Sequence, residues 1–537
     1  MPRYSYRPFP YATPPELRGA PSGRRPVVIV GAGPVGLAAA IDCALRGVAC
    51  VVLDDNDVVS LGSRAICWSK RTLEIMDRLG VGGRMVEKGV TWKVGRLFHR
   101  DREVWNFDLL PEPGHKMPAF INLQQYYVEQ YLVERAADFP GLIDLRWKNR
   151  VTGVTPRADG VVVAVETPDG AYALEADWLV ACDGARSAVR GMMGLDFEGR
   201  VFEERFLIAD VEMKADFPSE RWFWFEPPFH QGQSALLHKQ PDDIYRIDLQ
   251  LGWDADPEEE KKPENVVPRI ERVIGHADFE LDWVSVYTFQ CRRLDRFVHG
   301  RVVFAGDSAH IVSPFGARGG NGGIQDVDNL VWKLAAIIRG EAPESLIATY
   351  DEERIHGADE NIRNSSRATS FMTPKTEMER IFRDSVLELA GEHDFARRLV
   401  NSGRLSRPCS LEGMSLQTPA GEGAGVAPGT AMPDAPVANG KSGWLLDHFG
   451  SGFAVMAVEA DLPANLPDAV ARVFVTADPA RRVNDATTLI DAEGLVAARY
   501  GAGMTYLIRP DQHVAARFAG GDAAAIRAAL ARATGRT

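Results

Sequence analysis

The stretch from Val27 to Asp54 constrains this chain most. Val27-Val28-Ile29-Val30 is a short β-branched run, suited to a buried parallel strand. Gly31-Ala32-Gly33-Pro34-Val35-Gly36 follows at once, and Leu37 to Arg46 is rich in Ala and Leu with helical spacing. Gly47 stops that helix, and Ala49 to Leu53 forms a second strand that ends at Asp54. Strand, glycine turn, helix and strand make a βαβ unit, the setting in which G-x-G-x-x-G holds a dinucleotide. Gly31 permits the tight turn, Gly33 lets the backbone approach a pyrophosphate, and Gly36 lets helix and strand pack closely. The helix N-terminus, with Pro34 in its first turn, offers free N–H groups and positive dipole to phosphates. Asp54 stands roughly 20 residues further on, where a carboxylate accepts hydrogen bonds from ribose hydroxyls. An unliganded glycine turn is the competing reading.

The chain has 537 residues, enough for several domains, and its 45% hydrophobic content is that of a globular protein. A net charge of −13 argues against a general nucleic-acid or anionic-membrane binder. Six cysteines (Cys43, Cys50, Cys67, Cys182, Cys291 and Cys409) form no CxxC pair and no zinc-spaced cluster, so reduced thiols in a cytoplasmic protein and no metal site are expected. Residues 1–25 read as an arm without the apolar run of a signal peptide, and no stretch is apolar enough to span a bilayer.

Further along, Thr72 to Leu79 and Gln124 to Ala137 read as helices, and short alternating strands begin at Arg150. Trp178 to Cys182 is a buried strand that ends at Asp183-Gly184. Residues 196–290 alternate as an antiparallel sheet does, with Phe206 to Val211 and Tyr245 to Leu251 as examples. The α/β pattern returns at Val302-Val303-Phe304-Ala305, and helix follows from Gly323 to about Val400. Residues 406–442, rich in Pro, Gly, Ala and Ser, read as a connection to a small α/β unit. The expected division is an arm at 1–25, an α/β dinucleotide-binding domain at 26–195 and 291–400, an inserted sheet at 196–290, a linker at 401–442 and a C-terminal domain at 443–537.

Neither Asp183-Gly184 nor Gly306-Asp307-Ser308-Ala309-His310 says much alone. In this order after the glycine motif, they resemble the FAD-dependent aromatic hydroxylases, the single-component flavoprotein monooxygenases. Cys182 to Arg190 looks like that family's DGxxSxxR segment, which touches FAD and the nicotinamide donor and would assign Asp183 to the cofactor. By the same match Asp307 binds the ribitol of FAD. Ser313 to Asp326 resembles the flavin loop and helix start, which implies flavin contacts for Pro314, Gly319, Gly320 and Asn321. Small residues there let backbone N–H groups approach the isoalloxazine edge, and the helix dipole stabilises negative charge on reduced flavin. Arg318 stands where a Gln is frequent: it either stabilises anionic flavin or pairs with a surface carboxylate. Ser63-Arg64-Ala65 resembles a segment whose Arg lies near the flavin, and Gln125 with Glu129 and Leu132 resembles a helix whose Gln contacts FAD. The tail, through Leu507-Ile508-Arg509-Pro510-Asp511, is similar to the thioredoxin-like extension of the phenol and hydroxyphenylpropionate hydroxylase branch. No cysteine follows Cys409, which excludes a dithiol role and leaves cover for the active site or a homodimer contact.

The resemblance implies a Rossmann-like FAD domain with an inserted substrate sheet. The reaction would use NADH or NADPH as a transient co-substrate, O2, and a flavin C4a-hydroperoxide that hydroxylates a small aromatic substrate. No second glycine fingerprint is present, in keeping with a nicotinamide that binds transiently. A hydrogen-bond acceptor should face the phenol; His238 is the candidate carried forward, with His230 and Tyr245 beside it. Trp222-Phe223-Trp224-Phe225 reads as sheet core or as an aromatic clamp, and with Glu226-Pro227 it resembles a halogenase signature in which Glu226 replaces Ile. Epoxidation, Baeyer–Villiger oxidation and a non-catalytic flavoprotein are the other readings.

Overall fold

The Arg25–Val30 strand lies at the centre of a mostly parallel sheet, as its β-branched, water-excluding sequence dictates. It pairs in parallel with Cys50–Leu53 on one side and with Gly170–Ala181 on the other. Ile143–Arg146 and Val302–Phe304 extend the parallel order outward. The computed structural model describes residues 4–19, 23–313, 316–400, 407–421 and 423–536. The two strands expected near Tyr172 and Trp178 are one, Gly170–Ala181. Its first half forms an antiparallel ladder with Val161–Thr167, and its second half runs into the parallel core. The glycine-motif helix Pro34–Leu45 packs against Gln125–Ala136 and against Gly319–Ile338, which begins at Gly319 rather than Gly323.

A second sheet contains Glu198–Glu212, Arg221–Phe225, Ser234–Lys239, Ile244–Leu251 and Glu280–Arg293. It also takes in Val94–His99 and Arg102–Asp108, from well before residue 196. Alternation gives it two unlike faces. On the outer face Leu207, Ala209, Val211, Leu237, Tyr245, Ile247 and Leu249 pack under the helix Pro263–Ile274 through Val266 and Ile270. On the inner face Phe206, Phe223, Phe225, Leu236 and Phe289 meet Met372 and Leu387, from the helices Ala348–Met372 and Glu377–Ala390. The run Trp222 to Phe225 is therefore split: Phe223 and Phe225 are inner-face core, whereas Trp222 and Trp224 lie partly exposed against Phe98.

A third sheet, beyond residue 435, has Ala454–Val458 paired in parallel with Ala471–Thr476 and antiparallel with Met504–Ile508. Its Arg509-Pro510-Asp511-Gln512 turn enters the first unit. Arg509 is fully buried, donating to Glu353 at 2.5 and 2.9 Å, and Lys333 reaches the same carboxylate at 2.8 Å. Arg71 donates to the Asp511 carbonyl at 2.7 Å and to the Gln512 side chain at 3.1 Å. Against the burial that would raise it, Arg509 and Lys333 hold the Glu353 carboxyl below the usual carboxylate range. The N-terminal arm packs on the surface, with Phe9 stacked on Trp147 at 4.6 Å and Tyr4 against Tyr126 at 4.3 Å.

Arg509→Met leaves Glu353 and Asp511 buried with too little positive charge, which costs roughly 3–5 kcal/mol. Thermal unfolding should fall accordingly, and limited proteolysis should release the C-terminal unit first. Because the folded Glu353 carboxyl is depressed, its contribution is complete above the ordinary carboxylate pKa of about 4 and is lost as pH falls through the folded value.

Candidate functional site

Three loops meet at the C-terminal edge of the parallel sheet, because their backbones approach too closely for side chains. Gly31 has φ 103°, and a Cβ there would stand 2.5 Å from the Cys182 carbonyl oxygen. A Cβ on Gly36 would overlap the Gly31 carbonyl and lie 3.3 Å from Cys182 Cβ. The first motif is thus seated on the residue preceding Asp183. The third joins through Val35: a Cβ on Gly306 would lie 3.0 Å from Val35 Cγ2, and one on Gly323 would lie 2.7 Å from the same atom and 3.1 Å from Gly306 Cα. Arg190 ties the second loop to the third, donating to the carbonyls of Ser308 at 3.1 Å and Ala185 at 2.8 Å. Gly33 differs from Gly31 and Gly36. A Cβ there meets nothing within 4 Å, so its backbone faces open space at the N-terminus of the Pro34–Leu45 helix.

The polar groups around that space divide into those already used and those left over. Asp54 accepts from Ala32 N–H at 2.6 Å and from Asn56 N–H at 2.9 Å, so it holds the glycine turn itself. Asp183 accepts from Val189 N–H at 3.0 Å through one oxygen, and its other oxygen is buried without a hydrogen-bond partner. Asp307 has an exposed carboxylate although protein surrounds it, as a group lining a cleft does, and burial raises its pKa with opposing pull from His310. Burial raises Asp54 and Asp183 likewise. Arg64 is exposed, and Gln125 accepts from the next backbone N–H, Ala65, at 3.1 Å while donating to Glu129 at 2.8 Å. Gly319 and Gly320 open the long helix. Asn321 is buried and spends its amide on Ser69 N–H at 2.9 Å and on the carbonyls of Cys67, at 2.9 Å, and Ala317. It fixes the helix start to the Cys67–Ser69 strand. Arg318 is half-buried, 3.5 Å from the Asn361 side chain. Pro314 lies outside the described residues.

An open glycine turn, an orphaned Asp183 oxygen and a cleft-lining Asp307 fit an elongated ligand with phosphate at one end and hydroxyls along its length, as FAD has. Sequence reasoning missed the group that holds these loops in place. Asp326, buried, accepts from Gly306 N–H at 2.9 Å, from His310 at 2.7 Å and from Arg354 at 2.7 Å. Against the burial that would raise it, His310 and Arg354 hold the Asp326 carboxyl well below the usual range. Its only sequence signal was an acid one helical turn past Gly322-Gly323.

Over the cleft lies one registered row of the second sheet: Phe107, Gly95, Arg221, His238, Arg246, Asp210 and Trp283. Arg246 donates to Asp210 at 2.9 Å and to the carbonyls of Arg64, at 2.9 Å, and Ser63, at 2.8 Å, which pins that segment to the sheet. His238 is buried, its Nδ1 4.0 Å from Cys67 Sγ, and burial with Arg221 and Arg246 holds it neutral. Tyr245 lies on the opposite face, donating to the Ala215 carbonyl at 2.8 Å, and His230 is 2.7 Å from the Gln250 carbonyl. Among the described residues one trio, His99, Glu226 and Asp384, has metal-ligand proximity, but Arg383 already pairs with both carboxylates.

The geometry separates two glycine substitutions. Gly36→Ala forces overlap with the Gly31 carbonyl and should lower stability by ~1–3 kcal/mol or more. Gly33→Ala places its methyl in open space and should leave thermal unfolding within about 0.5 kcal/mol, while weakening FAD binding measured by flavin fluorescence.

Comparison with known proteins agrees with this geometry. The FAD binding domain family model matches residues 24–365, a span that contains all three motifs. A flavin-dependent monooxygenase of Mycobacteroides abscessus is 35% identical over 353 residues, covering 61% of this chain and 71% of that protein. A 3-(3-hydroxy-phenyl)propionate/3-hydroxycinnamic acid hydroxylase of Mycobacterium sp. (strain KMS) is 27% identical over 511 residues, covering 91% of this chain and 87% of that protein. The crystal structure of the flavin-dependent monooxygenase PieE shares the fold, with TM-score 0.79 at 21% identity over 96% of this chain and 100% of that one. No described helix is long and apolar enough to cross a membrane. With the family match running through every loop of the cleft and monooxygenases as its relatives, this chain belongs to the FAD binding domain family as a flavoprotein monooxygenase, with FAD as its cofactor.

Proposed function

We propose that the protein hydroxylates a phenolic aromatic substrate, using NAD(P)H and O2, in the space between the flavin end of the cleft and the inner face of the second sheet. The observation that carries this reading is the composition of that face. An aromatic wall of Phe206, Phe223, Phe225 and Phe289 adjoins the polar row from Arg221 to Asp210, beside Ser63, Arg64 and Cys67. These rings are packed under Met372 and Leu387, so they form an apolar backing to the polar row, and convergent polar groups on such a backing suit a hydroxylated ring. The hydroxylase relative supports the substrate class.

In this reading the backbone at Gly31, Gly33 and Gly36, with Pro34 in the first helical turn, receives the pyrophosphate. Asp54 and Gln125 border the adenosine half, and Asp183 and Asp307 take the ribitol and nicotinamide side. Arg64, Arg318 and the Gly319-Gly320-Asn321 helix start flank the ring system. When bound, FAD supplies the redox and oxygen chemistry. The chain's own residues do the rest. His238, neutral and buried, accepts the hydrogen bond of the substrate hydroxyl and so increases electron density on the ring. The aromatic wall keeps water from the reacting atoms. The C-terminal unit, with two parallel pairings beside Met504–Ile508 and Val514–Ala519, has the pairing expected of a thioredoxin-like domain, and we read its role as support for the first unit.

Substrate-stimulated NAD(P)H oxidation across a panel of phenols, with product mass, tests this. One or more phenols should stimulate oxidation and gain one oxygen; a flavin-loaded protein that none of them stimulates contradicts the reading. Asp307→Asn should weaken FAD retention roughly 10- to 100-fold, as loss of a charged hydrogen-bonding group does, read from flavin content after gel filtration.

A further inference from the structure

Six of the twelve large apolar side chains exposed among the described residues lie between Met378 and Leu399. Met378, Ile381, Phe382 and Leu389 stand on the helix Glu377–Ala390, and Phe395 and Leu399 on the helix Asp394–Val400. The two helices pack on each other. On the first, Met378, Phe382, Ser385 and Leu389 are spaced i, i+4, i+7 and i+11, which is one stripe of a helix. On the second, Phe395 and Leu399 are one turn apart. The other faces of both helices are already used. Leu387 joins the inner-face cluster with Phe206, Phe223 and Phe225, and Ala390 and Ala396 bury Val104 of the edge strand Arg102–Asp108. A helix that is apolar on two faces has the composition of one covered on both, and here only one is covered.

The size of the bare face says what covers it. Exposed between 42% and 72%, the six side chains present roughly 700 Å² per chain. The largest apolar patch of an ordinary monomer is about 300–600 Å². With its polar rim, the face approaches the roughly 800 Å² that each partner contributes to a stable interface. The chain itself offers little to cover it, because residues 401–406, just beyond, include Leu405 as their one large apolar residue. The rim carries both signs: Arg380 and Arg398, with Glu377, Glu388 and Glu392, are exposed and make no ion pair with a described residue. A membrane-surface helix would have a basic rim, whereas acids outnumber bases here and the chain carries a net charge of −13. A two-fold contact sets such a face against itself and brings the arginines of each copy towards the acids of the other.

We propose that this helix pair is the contact of a homodimer, with a second copy of the chain seated on the face from Met378 to Leu399. The dimer then holds the helix Glu377–Ala390 against the second sheet from outside. On its inner side that helix closes the aromatic wall through Leu387 and pairs Arg383 with Glu226. The proposal goes beyond the hydroxylase reading and stands independently of it.

The test uses the FAD-loaded full chain in sedimentation equilibrium at micromolar concentration. The wild type should sediment at twice the chain mass, and its thermal unfolding temperature should rise with protein concentration. The double variant Phe382→Glu with Phe395→Glu should raise the dimer dissociation constant roughly 100-fold or more, because each substitution buries an unpaired charge in the contact. A milder pair, Met378→Ala with Leu389→Ala, should raise it roughly ten-fold. Flavin content and NAD(P)H oxidation should stay at the wild-type level in both, since these side chains point away from the cofactor cleft. Val201→Glu, at an exposed apolar residue of the second sheet, should leave the dimer intact. A monomeric wild type overturns the proposal. So does a dimer that survives both double variants, or one that Val201→Glu weakens equally. A monomer that sediments with phosphatidylcholine vesicles assigns the face to a lipid surface and overturns it as well.

Discussion

Close approach of backbone at Gly31, Gly36, Gly306 and Gly323 is the constraint on which the site depends. Gly31 touches Cys182, and Gly306 and Gly323 touch Val35, each where a methyl group would collide with another segment, while Gly36 closes on Gly31 within its own turn. The loops come from residues far apart in the chain, and the parallel sheet brings them together by setting Val30, Leu53, Ala181 and Phe304 at one edge. Hydrogen bonds then fix them, with Cys182 N–H on the Val30 carbonyl and Gly31 N–H on the Leu53 carbonyl, both at 2.8 Å. Within the first motif, Gly33 is where the same packing leaves a gap.

Buried charge sets the rigidity of this arrangement. Asp326 fixes the Gly306 loop by joining it to His310 and Arg354, and Arg246 fixes the Ser63-Arg64 segment to the second sheet. Arg509 with Glu353 and Lys333 ties the C-terminal unit to the two helices behind the cleft. Buried pairs of this kind add little net stability over apolar packing, yet removing one partner is expensive, so they select a single relative placement of the parts. The row from Phe107 to Trp283 inherits that placement: its position over the cleft follows from Arg246 on Ser63 and from His238 beside Cys67.

Much of this was legible in the sequence. The β-branched run before Gly31, the glycine spacing and the strand ending at Asp54 gave the first unit, because each is a local signal with a physical cause. The parallel strand ending at Cys182 and the helix after the flavin loop were legible for the same reason. Other features depend on long-range pairing. Val94–His99 joins the second sheet only by lying parallel to Arg221–Phe225, which no local pattern announces. The pinning of Ser63 and Arg64 by Arg246 needs cross-strand register, and the role of Asp326 needs the contact between two loops. Asn321, expected to face the cofactor, turns its amide to the protein, because the helix start must be anchored to Cys67–Ser69 before its backbone can face anything.

The claim that three separated motifs form one cofactor site is tested most directly by hydrogen–deuterium exchange of the apoprotein titrated with FAD. The account predicts that backbone amides in 31–36, 183–190 and 306–313 become protected together, saturating at one equivalent of FAD per chain. Protection confined to 31–36, with the other two segments unchanged at saturation, would contradict it.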